Sequence, residues 1–506
     1  MSVRVRYAPS PTGSPHVGNI RDALFKHLFA KRYGGVNILR IEDTDRTRYV
    51  PGCEEEIVES LNWMGIEFQE GFTQGGDHGP YRQSERKEQG IYQDLVQKLL
   101  DSGHAYWAFD TSEELEEMRE FQKINKQAIG YYGGMWRDAS PNQVEEAKRA
   151  GKPGVIRLAI PRDKTIVLED VIRGRLEFDS NTVDDPVLIK ADGMPTYHFA
   201  AMVDDHLMGI THIMRGEEWI SSAPKHAWLF DAYGWDRPIF VHCPVIKGKD
   251  GSKLSKRHGD TRCLDYRSAG YLPAALANFI ALIGWSPGGD RELMSMDEMA
   301  EAFSLEGLQP SPGVFDLDKL KWMNANHIRG LSSADLVAAV RGVAEDPEAE
   351  AYYRKAHEEK EDPADKAIYL GLATLRTALG EQTELAEKMI ALEQERVTTL
   401  ADFGAAGAFF FTDEPEIDGT ALAKWKGQAH IPALFDAAIQ YSGSDYETFV
   451  KEYAAANGFE KLVPLQVPLR LGLTGKTSGP GLFDLMAALG PERIRVRLER
   501  AKGIFA

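Results

Sequence analysis

The sequence predicts an α/β protein whose carboxyl-terminal half is almost wholly helical. Three observations predict it. A strand–helix–strand pattern opens the chain. The same texture returns between residues 187 and 251 after an interruption. Beyond Gly330, apolar residues recur at helical spacing in nearly every segment. At 506 residues the chain is too long for one core, and 43% apolar with 27% charged residues suits several.

Residues 3–7 alternate as a short strand, and 8–19 form a loop rich in Pro, Ser and Gly. Residues 20–33 form an amphipathic helix with Leu24, Leu28 and Phe29 on one face, stopped by Gly34-Gly35. Residues 36–41 are almost wholly apolar and read as a strand buried on both faces. Glu42, Asp43 and Asp45 stand at its carboxyl end, the edge where open parallel sheets bind ligands. Over 92–186, Glu- and Lys-rich helical stretches alternate with short strands at 155–160 and 165–168, as in an inserted module. Strands at 187–189, 212–214 and 239–241 resume the first pattern. Helices are expected over 334–343, 365–379, 385–400 and 484–502. There is no internal repeat and no long low-complexity linker.

Composition narrows the function. No stretch is apolar enough to span a bilayer, and the chain opens as a strand without an apolar signal core, so a cytoplasmic protein with no membrane partner is expected. Cys53, Cys243 and Cys263 are few and widely spaced, and no Cys-x-x-Cys exists, which argues against a disulfide framework or a thiolate zinc site. A net charge of −18 argues against nonspecific nucleic-acid binding but leaves room for a specific RNA held by local basic residues.

Two motifs carry chemistry. Pro9-Ser10-Pro11-Thr12-Gly13-Ser14-Pro15-His16-Val17-Gly18-Asn19 is a constrained loop entering a helix. Its glycines let the backbone approach a ligand, the helix start offers free N–H groups, and an imidazole there can donate to a phosphate oxygen. The bland alternative is a rigid turn with Asn19 as a cap. Lys253-Leu254-Ser255-Lys256-Arg257 follows Lys247-Gly248-Lys249-Asp250-Gly251 as a glycine-flanked basic loop, and alone it reads as a solvated charged loop.

Together, a first-strand His-x-Gly-x loop and a distant Lys-x-Ser-Lys loop resemble the two signatures of class I aminoacyl-tRNA synthetases. Further stretches resemble the bacterial glutamyl-tRNA synthetase family over the whole chain. They include Arg6-Tyr7-Ala8-Pro9-Ser10-Pro11-Thr12-Gly13, Arg40-Ile41-Glu42-Asp43-Thr44-Asp45 and Gly79-Pro80-Tyr81-Arg82-Gln83-Ser84-Glu85-Arg86. Later ones are Pro195-Thr196-Tyr197-His198, Val203-Asp204-Asp205-His206, Arg215-Gly216-Glu217-Glu218-Trp219, and Phe315-Asp316-Leu317 with Trp322-Met323-Asn324.

The resemblance implies a Rossmann-type catalytic domain in two parts, 1–91 and 187–260. An α/β acceptor-stem-binding module at 92–186 would be inserted between them. A stem-contact domain at 261–330 and α-helical anticodon-binding domains at 331–400 and 401–506 would follow. It implies a ligase that joins L-glutamate to tRNA(Glu) in two steps, through ATP-dependent glutamyl-adenylate, acting as a monomer. His16, Lys256 and Lys253 would be catalytic, bracing the α-phosphate, with Mg²⁺ helping pyrophosphate leave. ATP would lie on Ser10, Gly18, Asn19, Glu218, Ile246, Lys253, Leu254, Ser255, Lys256 and Arg257. Glutamate would lie on Arg6, Ala8, Ser10, Glu42, Tyr197 and Arg215. Arg6 and Arg215 would clamp the side-chain carboxylate, Glu42 would receive the ammonium, and Tyr197 would donate its hydroxyl. Glutamine is nearly isosteric, but its amide would leave buried arginines uncompensated. For each of these charges the bland reading is a structural ion pair.

Asp45, Arg48, Arg396 and Leu482 would contact the tRNA, Arg396 sensing the third anticodon base and Pro480-Gly481-Leu482-Phe483 forming another anticodon loop. The bland reading of Arg396 is a helix-surface residue paired with Glu393 or Glu395. The basic stretch from Arg493 to Lys502 reads as a solvated helix face, and Trp219 and Trp322 read as core, with Trp219 also shaping the adenosine pocket.

Two departures stand out. The first motif has one histidine, so Asn19 must serve as a neutral donor. Some relatives carry a zinc on a Cys-x-Cys pair in the inserted module; here the matching stretch is Tyr106-Trp107-Ala108-Phe109-Asp110, and no zinc is expected. Four other readings compete. A glutaminyl-tRNA synthetase would carry β-barrels where this half reads helical. A short tRNA-modifying paralogue and a small-molecule nucleotidylyltransferase would not need the helical half. A noncatalytic RNA-binding regulator would be expected to lose His16, Lys256 or Arg215.

Overall fold

A computed structural model describes residues 2–252, 254 and 262–506. The chain falls into two compact units, Met1–Cys263 with Ala277–Asp316, and Leu264–Leu276 with Leu317–Ala506.

In the first unit, β1 (Arg4–Tyr7), β2 (Val36–Leu39) and β3 (Glu70–Gly71) form a parallel sheet in that order. The ladder of β2 stops at Leu39, short of the expected residue 41, because the Ile41 N–H turns to the Tyr81 carbonyl at 2.8 Å. β4 (Ala105–Ala108) pairs antiparallel with β5 (Val155–Leu158). β6 (Thr165–Asp170) and β7 (Gly174–Asp179) make a hairpin, and β8 (Val187–Ile189) adds antiparallel to β5. β9 (His212–Gly216) lies parallel to β10 (Ile239–Cys243), giving the order β7-β6-β10-β9. β11 (Ile246–Lys247) pairs with β12 (Gly313–Val314). The Thr211 N–H donates to the Arg4 carbonyl at 2.9 Å, which brings β9 beside β1. The carboxyl ends of β1, β2, β9 and β10 therefore share one edge.

The helix Val17–Arg32 begins three residues before the apolar periodicity suggests. The cause is a cap. His16 Nδ1 accepts from the Gly18 N–H at 3.1 Å, and Asn19 Oδ1 accepts from the His16 N–H at 3.2 Å. Ile20, Leu24 and Leu28 are fully buried beneath it. In the 92–186 stretch, Ala108, Phe109, Tyr131, Trp136 and Ala147 form a small core of their own. Buried Asp185 accepts from the Tyr106 hydroxyl at 2.7 Å, Arg137 at 2.7 Å and Arg162 at 3.0 Å.

The second unit is helical around one core that includes Leu336, Leu375, Met389, Phe403, Leu469 and Leu485. Three expectations need correction. The helix Thr383–Glu393 ends seven residues before residue 400, because Asp402 Oδ2 draws the N–H groups of Thr398 (2.9 Å) and Thr399 (2.8 Å) into a turn. The basic stretch in the helix Leu482–Phe505 is a solvated face at Arg495 but not at Arg497. Arg497 is buried and donates to the carbonyls of Leu473, Phe409, Phe410 and Thr412 at 2.6–3.0 Å, and Arg493 joins it on Phe410 at 3.0 Å, so the two pin the 409–412 loop. Trp322 is 47% exposed rather than core.

Candidate active site

A cavity of about 1040 Å³ opens at the shared strand edge of the first unit. Each strand end delivers part of its wall. Beyond β1 come Ala8 and Ser10; beyond β2 comes Glu42; β9 carries Arg215; and the helix Tyr197–Leu207 begins with Tyr197. His16, Gly18 and Asn19 line it from the helix start, and Glu218, Trp219, Ile246 and Leu254 from the other side. The Leu254 N–H is tied to the Ile246 carbonyl at 3.1 Å. Lys253, Ser255, Lys256 and Arg257 lie outside the described residues.

Cap geometry decides the tautomer of His16. Because Nδ1 accepts from Gly18, the neutral ring carries its proton on Nε2 and is a donor there. A Cβ at Gly18 would come within 3.0 Å of the ring, so glycine gives the imidazole its room. The capping and ligand-binding readings of this loop are thus compatible: Asn19 spends its carbonyl oxygen on the cap and keeps its amide N–H₂ as the neutral donor group. Gly216 has a similar role, since a Cβ there would lie 2.1 Å from Glu218 Oε2.

The two arginines differ in a way the sequence does not reveal. Arg6, 4% exposed, gives Nε and Nη2 to Asp205 at 2.8 and 3.2 Å. It is therefore compensated by a carboxylate of the chain itself, as in the ion-pair alternative. The reason is that Asp205, fully buried, must itself be neutralised; Arg40 Nη1 joins it at 2.8 Å. Paired with these cations, the Asp205 carboxyl is held below its usual range although burial pushes it up. Arg215, 5% exposed, has no carboxylate partner among the described residues: Nε donates to His242 Nε2 at 3.0 Å, Nη1 to His226 Nδ1 at 2.8 Å, and Nη2 is buried without a well-formed hydrogen bond, with the Tyr197 hydroxyl beside the guanidinium. Glu42 is buried against Arg40 at 2.8 Å; burial raises its carboxyl, opposed by Arg40 and Arg6. Burial pushes the Tyr197 hydroxyl up to about 12, so it remains a neutral donor. At the rim, Asp45 holds Arg48 at 2.6 Å and accepts from Thr47, and those hydrogen bonds lower its carboxyl to about 2.

In the second unit, Arg396 is 45% exposed and pairs with Glu393 at 3.1 Å, while Leu482 is buried in the helical core. Beside them the sequence reading missed Arg470, whose Nη1 is buried without a partner and lies 3.0 Å from where a Cβ of Gly479 would be. It also missed His198, His226 and His242. No local motif marks them; His242 meets Arg215 only through the register of β9 against β10.

Comparison with known proteins matches this geometry. The family model of class I tRNA synthetases (E and Q), catalytic domain, matches residues 2–322, and that of an anticodon binding domain matches 372–502. A glutamate–tRNA ligase of Clostridioides difficile is 39% identical over 99% of each chain, and one of Thermus thermophilus is 40% identical over 99% of each. The crystal structure of a glutamate tRNA ligase from Elizabethkingia meningosepticum, in complex with its amino acid, superposes with a TM-score of 0.85 at 36% identity, over 99% of each chain. With the strand-edge cavity and the His16 loop in place, these matches put the chain in the glutamate–tRNA ligase family of class I tRNA synthetases.

Proposed function

We propose that this chain joins L-glutamate to tRNA(Glu) in two steps within the strand-edge cavity. In the first, an oxygen of the glutamate α-carboxylate attacks the α-phosphorus of ATP, the bond to pyrophosphate breaks, and glutamyl-adenylate forms. In the second, a terminal ribose hydroxyl of the tRNA attacks the acyl carbon and AMP leaves. The observation that carries the reading is Arg215 Nη2, a buried guanidinium donor without a well-formed hydrogen bond in the wall that His16 also lines. Such a donor is costly unless a ligand anion completes it.

In this reading Arg215 and the remaining Nη1 edge of Arg6 hold the glutamate side chain, Tyr197 donates its hydroxyl, and Glu42 receives the ammonium. His16 Nε2–H, Asn19 and Glu218 line the nucleotide end, and Lys253 and Lys256 brace the phosphates. Mg²⁺ would neutralise the departing pyrophosphate. Asp45 and Arg48 would meet the acceptor end, and Arg396 the third anticodon base. We further propose a cytoplasmic monomer without structural zinc; one tight equivalent of zinc by elemental analysis would count against the last point.

The test is ATP–pyrophosphate exchange with glutamate and with glutamine, each with and without tRNA. Exchange should need both glutamate and tRNA. Efficient exchange with glutamine, or without tRNA, would reject the mechanism. Comparable charging of tRNA(Glu) and tRNA(Gln) would reject the role given to Arg396.

A further inference from the structure

Behind Arg215 runs a chain of polar groups whose proton positions are fixed from both ends. Asp170, buried, accepts at Oδ1 from the N–H groups of Ile172 (3.0 Å) and Arg173 (2.8 Å) and at Oδ2 from the His242 N–H (3.1 Å) and Nδ1 (2.7 Å). The Asp170 carboxyl is held below its usual range by these donors, so His242 carries its proton on Nδ1 and presents a bare Nε2. That bare nitrogen accepts from Arg215 Nε at 3.0 Å. A guanidinium only donates, so His226 Nδ1, 2.8 Å from Arg215 Nη1, must also be bare. The His226 proton then sits on Nε2 and is donated to His198 Nδ1 at 2.9 Å, leaving the proton of His198 on Nε2. His226 and His242 are fully buried, and burial beside Arg215 lowers both imidazoles' hold on a second proton.

We propose that His226 and His242 are specificity-determining positioning residues, which hold Arg215 through two neutral acceptors so that its charge awaits the substrate's carboxylate. The inference rests on the reading of Arg215 given above and deepens it. Most buried arginines here meet a carboxylate or carbonyl acceptor directly: Arg6 has Asp205, Arg40 has Glu42 and Asp205, and Arg86 has Asp204. Arg215 alone of these four is seated on imidazoles. A carboxylate in either histidine's place would fix the guanidinium equally well but cancel its charge. A glutamate ligand would then meet a neutral pair, and the amide of glutamine would lose its handicap. His198, in the cavity wall, receives from the same chain a defined donor on Nε2.

The test compares His226→Gln, which keeps a neutral acceptor, with His226→Glu, which adds a charge. Steady-state exchange is measured with the full chain and tRNA. For His226→Gln the glutamate KM should stay within about threefold of native, because a neutral acceptor still seats Arg215. For His226→Glu the glutamate KM should rise about 10–100-fold with ATP KM nearly unchanged, and the glutamate-over-glutamine ratio in kcat/KM should narrow by about tenfold or more. Equal glutamate KM values for the two variants would overturn the inference. Arg215→Met separates the layers. A raised glutamate KM there, with equal His226 variants, overturns only the histidine role; an unchanged one overturns the Arg215 reading as well. Should His226→Glu fail to fold, ¹⁵N-histidine NMR of the native chain, assigned with His226→Gln and His242→Gln, decides. It should find a bare Nδ1 on His226 and a bare Nε2 on His242 at neutral pH; an imidazolium or the opposite tautomer overturns the inference.

Discussion

Asp205→Asn is the substitution whose cost follows most directly from the structure. Asp205 is fully buried and takes three donors, Nε and Nη2 of Arg6 and Nη1 of Arg40. Asparagine keeps the shape but removes the charge. Breaking a buried ion pair costs about 3–5 kcal/mol, mostly because the surviving ion is left uncompensated. Arg40 retains Glu42 at 2.8 Å, so its share is partial, whereas Arg6 has no second carboxylate partner among the described ion pairs. We therefore expect the low end, about 3 kcal/mol, roughly a hundredfold in the folding equilibrium. For a unit of this size that is a drop of about 4–6 °C in apparent Tm, read by fluorimetry at a fixed scan rate. The sign with pH follows from the depressed carboxyl of Asp205. Its contribution is fully present above the unfolded carboxylate pKa of about 3.9 and is lost as pH falls below it, so the gap between native and variant should be constant from neutral pH to about 5 and close in more acid solution. A Tm change under about 1 °C, or a gap that widens in acid, would refute the reasoning.

Three further outcomes are expected. Lys256→Ala should lower the activation rate about 10²–10³-fold by removing a cation from the transferring phosphate, with tRNA affinity by filter binding within about threefold; equal losses in both would refute the role. Gly216→Ala tests space alone, since Gly216 has φ −67° and ψ 150°, open to any residue, yet its Cβ would meet Glu218 Oε2 at 2.1 Å. Displacing Glu218 should raise ATP KM about 3–10-fold and leave glutamate KM and Tm unchanged; a shift in glutamate KM instead would put Glu218 at the wrong end of the cavity. Arg497→Met strips the Leu473, Phe409 and Thr412 carbonyls of this donor, Phe410 keeping Arg493, and should destabilise the helical unit by about 2–4 kcal/mol, seen as an earlier unfolding transition, with Arg497→Lys recovering part of it; an unmoved transition would mean those carbonyls find water.

The strand edge and the residues lining it were legible because they lie in contiguous motifs: Arg6 to Gly13, His16 to Asn19, and Arg40 to Asp45 each sit on or just beyond one element. What failed was pairing across elements. Nothing near Arg6 in the sequence announces Asp205, nearly two hundred residues on, or says that Arg215 would lack such a partner. Arg497 was misjudged for the same reason: a basic helical stretch looks solvated until the carbonyls at 409–412 arrive against it. The helix start at Val17 was missed because histidine is not among the usual capping residues, although Asn19 three positions on was a usable signal.

In the glutamate-binding reading proposed above, the contrast between Arg6 and Arg215 bears on how one cavity would refuse glutamine. Were both arginines paired with carboxylates, the wall would be neutral, and glutamine would fit nearly as well as glutamate. Were both left bare, the empty cavity would hold two buried, mutually repelling cations at several kcal/mol each before any ligand arrived. Arg6 with Asp205 and Arg215 with two imidazoles is the intermediate arrangement. The first pair fixes a guanidinium edge in place at little electrostatic cost, and the second leaves one unit of charge unanswered. An amide in that position would bring a dipole to a site that needs an anion, and its N–H₂ group would find no acceptor on Arg215, which only donates. In that reading, discrimination would depend less on the number of arginines than on the charge of what stands behind them.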